Sequence, residues 1–170
     1  MRDKIALLRS ECSSYRRGHP MASLAEDLDG AADWISRALS SSGYLADFSP
    51  ASLWAIDRFL DENSTAGVAR PGGLLDRDLG SRLFALGAYT GEVIRRALGA
   101  QWRTDDQDPQ GEVNVELILP DGDVIWPVQR VMKRYKNGSE DGLVAYAVAL
   151  GVAVGPAPRA HTRRWWRRDS

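Results

Sequence analysis

"LLDRDLGSRLFALGAYTGEVIRRALGAQW", residues 74–102, decides the architecture. Leu79, Leu83, Leu86, Thr90, Val93 and Ala97 recur every three or four positions and line one face of a helix. Phe84, Ala88, Gly91, Ile94 and Leu98 line a second, which leaves only Arg82, Tyr89, Glu92 and Arg96 clearly outside both. A helix apolar on nearly every side belongs in the middle of a protein. The spacing therefore predicts a buried central helix over about residues 77–98, stopped by Gly99. Gly87 and Gly91 lie one turn apart and let a neighbouring backbone approach, at about 1 kcal/mol each in lost helix propensity.

Downstream the period changes. "EVNVELIL" at 112–119 sets Val113, Val115, Leu117 and Leu119 against Glu112, Asn114, Glu116 and Ile118, the alternation of a half-buried strand. "PDG" at 120–122 is turn chemistry, so "DVIWPV" returns as the second strand of a hairpin over about 113–127. Pro127 ends that strand or marks an edge. "VQRVMKRYKNG" reads as a helix closed by Gly138, and Ser139 is placed to cap a last helix with Leu143, Tyr146, Ala147 and Leu150 toward the core.

Upstream, Ile5, Leu8, Cys12 and Tyr15 give a short amphipathic helix that ends before Gly18 and Pro20. Leu24, Leu28, Ala31, Ile35 and Leu39 give another, weakened by Gly30 and ended by Gly43. Ser49 is placed to cap a third helix, with Pro50 in its first position and Leu53, Ile56 and Leu60 on its buried face. The stretch "STAGVARPGG" reads as a glycine-rich loop. The expectation is an α+β fold: one mostly helical domain over 1–155, with the hairpin packed on the central helix. Within it, 1–43 is an N-terminal helical segment and 48–150 the core. Residues 156–170 form a flexible basic and aromatic tail.

At 170 residues and 44% hydrophobic, the chain has the size and composition of one ordinary globular domain. Its longest apolar run, 143–155, falls short of the roughly 20 residues that span a bilayer. The single cysteine, Cys12, excludes an internal disulfide framework and suits a cytoplasmic location. The net charge of −1 conceals an asymmetry. Residues 1–20 carry five basic and two acidic side chains, and residues 156–170 carry five and one. Residues 21–111 carry eight basic against fourteen acidic. An acidic body argues against steering of the globular part toward nucleic acid.

Candidate chemistry is sparse. His19 and His161 are the only histidines, 142 positions apart, and neither has Cys or Glu at metal-ligand spacing, so no metal or cofactor is expected. Asp105, Asp106 and Asp108 lack the spacing of a calcium loop and read as a solvated connection. No catalytic residue is assigned. Glu92, on the buried helix, is the candidate general base, in a carboxylate site with Tyr89 and Asp105; its spacing to Arg96 favours a helix ion pair instead. Tyr89, Trp102 and Trp126 are candidate partner-binding residues, the two tryptophans framing a groove. In the tail, Arg163, Arg164, Trp165, Trp166, Arg167 and Arg168 carry the parts that would touch nucleic acid or an anionic membrane.

The run from "LFALGAYTGEVIRRALGAQW" to "VAYAVAL", with its apolar Gly-Ala-Tyr-x-Gly-Glu-Val helix, its Trp and its Leu-Pro-Asp-Gly hairpin entering a proline, resembles a group of small uncharacterised bacterial α+β proteins. The matching positions are Gly87, Tyr89, Gly91, Glu92, Trp102, Pro120, Gly122 and Pro127, and the resemblance covers about residues 48–150. It implies the fold and carries no catalytic residue with it. The leading expectation is a non-enzymatic cytoplasmic protein-interaction protein of accessory or immunity type. The alternatives are an enzyme with a carboxylate site near Glu92, or a weak binder of nucleic acid or membrane through the tail.

Overall fold

The computed structural model describes residues 23–108 and 110–158. The helix expected over 2–17, both histidines and the tail from residue 159 lie outside the described residues. The described chain is an α+β domain, mostly helical.

Helix α1 spans Leu24–Ser41. Ser23 and Glu26 form a reciprocal capping box, each side chain accepting from the other's backbone N–H, which fixes where the helix starts. The helix runs through Gly30 and ends just before Gly43, whose φ of 88° is left-handed. A 3₁₀ turn at Pro50–Ser52 leads into α2, Leu53–Asn63. Ser49 makes no side-chain cap, because its hydroxyl donates back to Asp47.

The glycine-rich stretch holds a two-residue ribbon, β1 (Ser64–Thr65) against β2 (Val68–Ala69). Its turn residues, Ala66 and Gly67, both have positive φ, as a tight hairpin of matching twist requires. The Gly67 N–H donates to the Tyr135 carbonyl and ties the ribbon down.

The central helix, α3, spans Leu79–Leu98. It begins two residues later than periodicity indicates, since Asp78 is left-handed at φ 50°. Every residue from Arg82 to Ile94 is buried, including the polar ones that fell outside the apolar stripes. Its most extensive neighbours are α1 and α5 (Pro127–Asn137). A Cβ on Gly87 would sit 2.6 Å from the Val128 Cα, so this glycine is what lets α3 and α5 meet backbone to backbone. A Cβ on Gly91 would collide with the Trp102 ring, with Pro127 behind it.

The hairpin gains a third strand. β3 (Gln101–Arg103), β4 (Glu116–Ile118) and β5 (Val124–Ile125) form an antiparallel sheet in the order β3-β4-β5. Val115, Leu117 and Leu119 face inward as alternation requires. The strand does not extend back to Val113, because Gly111–Asn114 form one helical turn, α4. Asp108 explains the difference: its carboxylate accepts from the Gln110 N–H and the Asn114 amide, folding the segment before it can extend.

The last helix, α6, spans Leu143–Ala149. Leu143, Val144 and Ala147 are buried, while Tyr146 and Leu150 are half-buried. Ser139 does not cap it. That role falls to Asp57 of α2, whose two oxygens accept from the Leu143 and Val144 N–H groups, each at 3.0 Å.

Candidate functional site

Three places hold the polar and aromatic groups that the sequence singles out. The first is the solvent end of α3. Glu92 has a side chain only 9% exposed, and both of its oxygens are engaged. Arg95 donates to them in fork geometry at 2.7 and 2.8 Å, and Arg96 donates at 2.6 Å. Burial pushes the carboxyl up, but the hydrogen bonds and charges of the two arginines outweigh it and hold Glu92 below its ordinary range. A carboxylate held ionised in this way is a weak proton acceptor. The arrangement is the helix ion pair that its spacing to Arg96 indicates, widened to include Arg95.

Tyr89 lies one turn before it and is wholly buried. Its hydroxyl donates to Ser52 Oγ at 2.7 Å and accepts from the Phe48 N–H at 3.0 Å. Burial raises its pKa. Phe48 has φ 61°, an unusual conformation for a bulky side chain. Its ring is held between Tyr89, at a centroid distance of 4.7 Å, and the Arg96 guanidinium at 4.2 Å. Tyr89 is thus a core residue that fixes the loop before α2, and it takes no place on a contact surface. Asp105 closes its own loop by accepting from the Gln107 N–H, and no hydrogen bond among the described residues joins it to Glu92 or Tyr89.

The second place is the junction of sheet and α5. The Trp102 ring fills the notch left by Gly91 and lies beside Pro127, half-buried. Trp126 precedes that proline and is 40% exposed. The two tryptophans are therefore neighbours through Pro127, but they differ in role: Trp102 packs, Trp126 faces solvent. Around them the chain is acidic. Asp121 and Asp123 stand exposed at the hairpin tip, and Glu112 is exposed on α4, which packs against α5. Asp105 and Asp106 continue the loop to the start of α1, where Asp106 accepts from the Leu24 N–H at 2.7 Å.

The third place went unnoticed in the sequence. Arg134 of α5 has a side chain 3% exposed, and it donates to Asp57 at 2.8 Å and Asp61 at 2.6 Å, both on α2. Together with the bonds from Asp57 to α6, this joins three helices. The signal was present: Arg134 follows Val128 and Val131 on one face of α5, where an apolar residue belongs.

Elsewhere, α1, α2 and α3 leave an apolar recess of about 20 Å³, lined by Trp34, Ile35, Ala38, Leu39, Phe59 and Leu74, with Arg82 at its side. The Trp34 indole N–H is buried there with no hydrogen-bond acceptor among the described residues. Among those residues, no helix is long and apolar enough to cross a membrane, and no group of three or more His, Cys, Asp or Glu is arranged to hold a metal ion. Comparison with protein families, with curated proteins and with solved structures finds no match.

Proposed function

We propose that this chain is a non-enzymatic cytoplasmic protein-interaction protein of accessory or immunity type, and that it meets its partner through Trp126. The observation that carries this reading is the setting of that side chain. A large ring is held at the surface on a rigid mount: its carbonyl accepts the first hydrogen bond of α5 from Arg130, and the next residue is wedged against α3. Exposed tryptophans on rigid elements are the residues that most often dominate binding energy, because little conformational freedom is lost when they are covered. The acidic residues nearby, Asp121, Asp123 and Glu112, suit a basic partner surface, and they would speed its approach more than they would tighten the complex.

A photo-crosslinking amino acid at position 126, with position 148 as a second exposed site, tests this in the native host. The expected result is an adduct specific to 126. With the partner purified, Trp126→Ala should weaken binding at least ten-fold while leaving circular dichroism and melting temperature unchanged. Unchanged affinity in that variant, or adducts of equal pattern at both positions, would remove Trp126 from the interface.

A further inference from the structure

The apolar recess on α1 lies where the preceding chain can reach it. The described structure begins at Ser23, the cap of α1, and the recess residues Trp34–Leu39 lie roughly 15–22 Å along that helix. Residues 2–17, read as a helix, are about 24 Å long, and Gly18, His19 and Pro20 supply a turn between the two. Length and direction therefore suit an antiparallel return.

Charge suits it as well. Residues 2–17 carry Arg2, Lys4, Arg9, Arg16 and Arg17 against Asp3 and Glu11. The solvent side of α1 carries Glu26, Asp29 and Asp33, all exposed, with Asp27 half-buried and Arg37 as its one basic residue. A third observation is the recess itself. It has room for the tip of one aliphatic side chain and borders a buried indole N–H that lacks an acceptor, a defect that costs about 1–3 kcal/mol.

We propose that residues 2–17 dock as a helix antiparallel to α1, seating Ile5 and Leu8 over the Trp34–Leu39 recess. In that arrangement the stripe of Ile5, Leu8, Cys12 and Tyr15 faces α1, and Lys4 lies alongside Asp33. The site is internal to the chain and is separate from the surface around Trp126.

Hydrogen exchange on the full chain tests this directly. Amides of residues 6–17 should exchange at least ten-fold more slowly than in a free peptide of residues 1–22, and Leu8→Asp should abolish that protection while the rest of the domain keeps its own. Zero-length carbodiimide coupling should join Lys4 to Asp33 within one chain, as shown by mixing ¹⁴N and ¹⁵N protein. Exchange at the free-peptide rate would overturn the proposal. So would Lys4 coupling found only between copies, which would make a second molecule the occupant. Deleting residues 159–170 should leave exchange at 34–39 unchanged; an increase there, with 2–17 unprotected, would give the recess to the tail and also overturn it.

Discussion

Tyr89 shows how one hydroxyl can hold a loop in an unfavourable shape. Phe48 sits at positive φ, and its N–H has Tyr89 Oη as acceptor. Tyr89→Phe removes that acceptor and the bond to Ser52, and should cost about 1–3 kcal/mol in urea denaturation. An unchanged midpoint would mean that water replaces the hydroxyl. Glu92 gives a pH prediction. Its folded pKa lies below the ordinary 4.5, so its stabilising effect is complete above that value and is lost as pH falls through the folded pKa. The melting-temperature gap between wild type and Glu92→Gln should therefore be constant from neutral pH down to about 5 and shrink below 4.5. A gap that instead grew on acidification would mean that the carboxyl is protonated in the folded state. The Glu92–Arg96 pairing was legible from helical spacing alone. The burial of Tyr89 was not, because its polar tip counts toward the surface until Ser52 and Phe48, far off in sequence, are known to satisfy it.

Among the elements, α3 depends on what its glycines omit. Gly87→Ala adds a methyl 2.6 Å from the Val128 backbone, which cannot swing aside as a side chain could. The gain in helix propensity, about 1 kcal/mol, should be outweighed, with a net loss of about 1–3 kcal/mol. Gly80 is the control: it lies on the same helix, is exposed, and has nothing within 4 Å of an added Cβ. Gly80→Ala should be neutral or stabilising by a few tenths of a kcal/mol. Equal losses at the two positions in thermal melts would discard the close-approach explanation. Helices of this length were readable because a stripe every three or four residues accumulates over several turns. The strands were harder. β3 has three residues and follows a helix directly, so no alternation is long enough to show it. At 112–114 a genuine period-two pattern was overruled by the Asp108 carboxylate, a local bond that hydropathy does not register.

At the scale of the whole molecule, Asp57 and Arg134 do what no single helix pair does: they fasten α2, α5 and α6 at one point. Asp57→Asn keeps the shape but strips the charge from Arg134 and weakens the cap on α6. It should cost about 3 kcal/mol, the order found when a buried ion pair loses one member. The unfolding transition should stay single by both near- and far-ultraviolet circular dichroism, since the three helices share one core. Separate transitions would mean that α6 leaves alone. This fastening also carries a consequence for how the protein is made. The Asp57 bonds reach 77 residues forward to Arg134 and 87 to Val144. During translation at about 5–20 residues per second, α2 emerges roughly 4–17 s before the groups that complete it. For that interval its carboxylate and apolar face have only water or a chaperone for company. The ribosome must nearly finish the described domain before any of it can lock, so folding waits on the last segment synthesised rather than proceeding helix by helix.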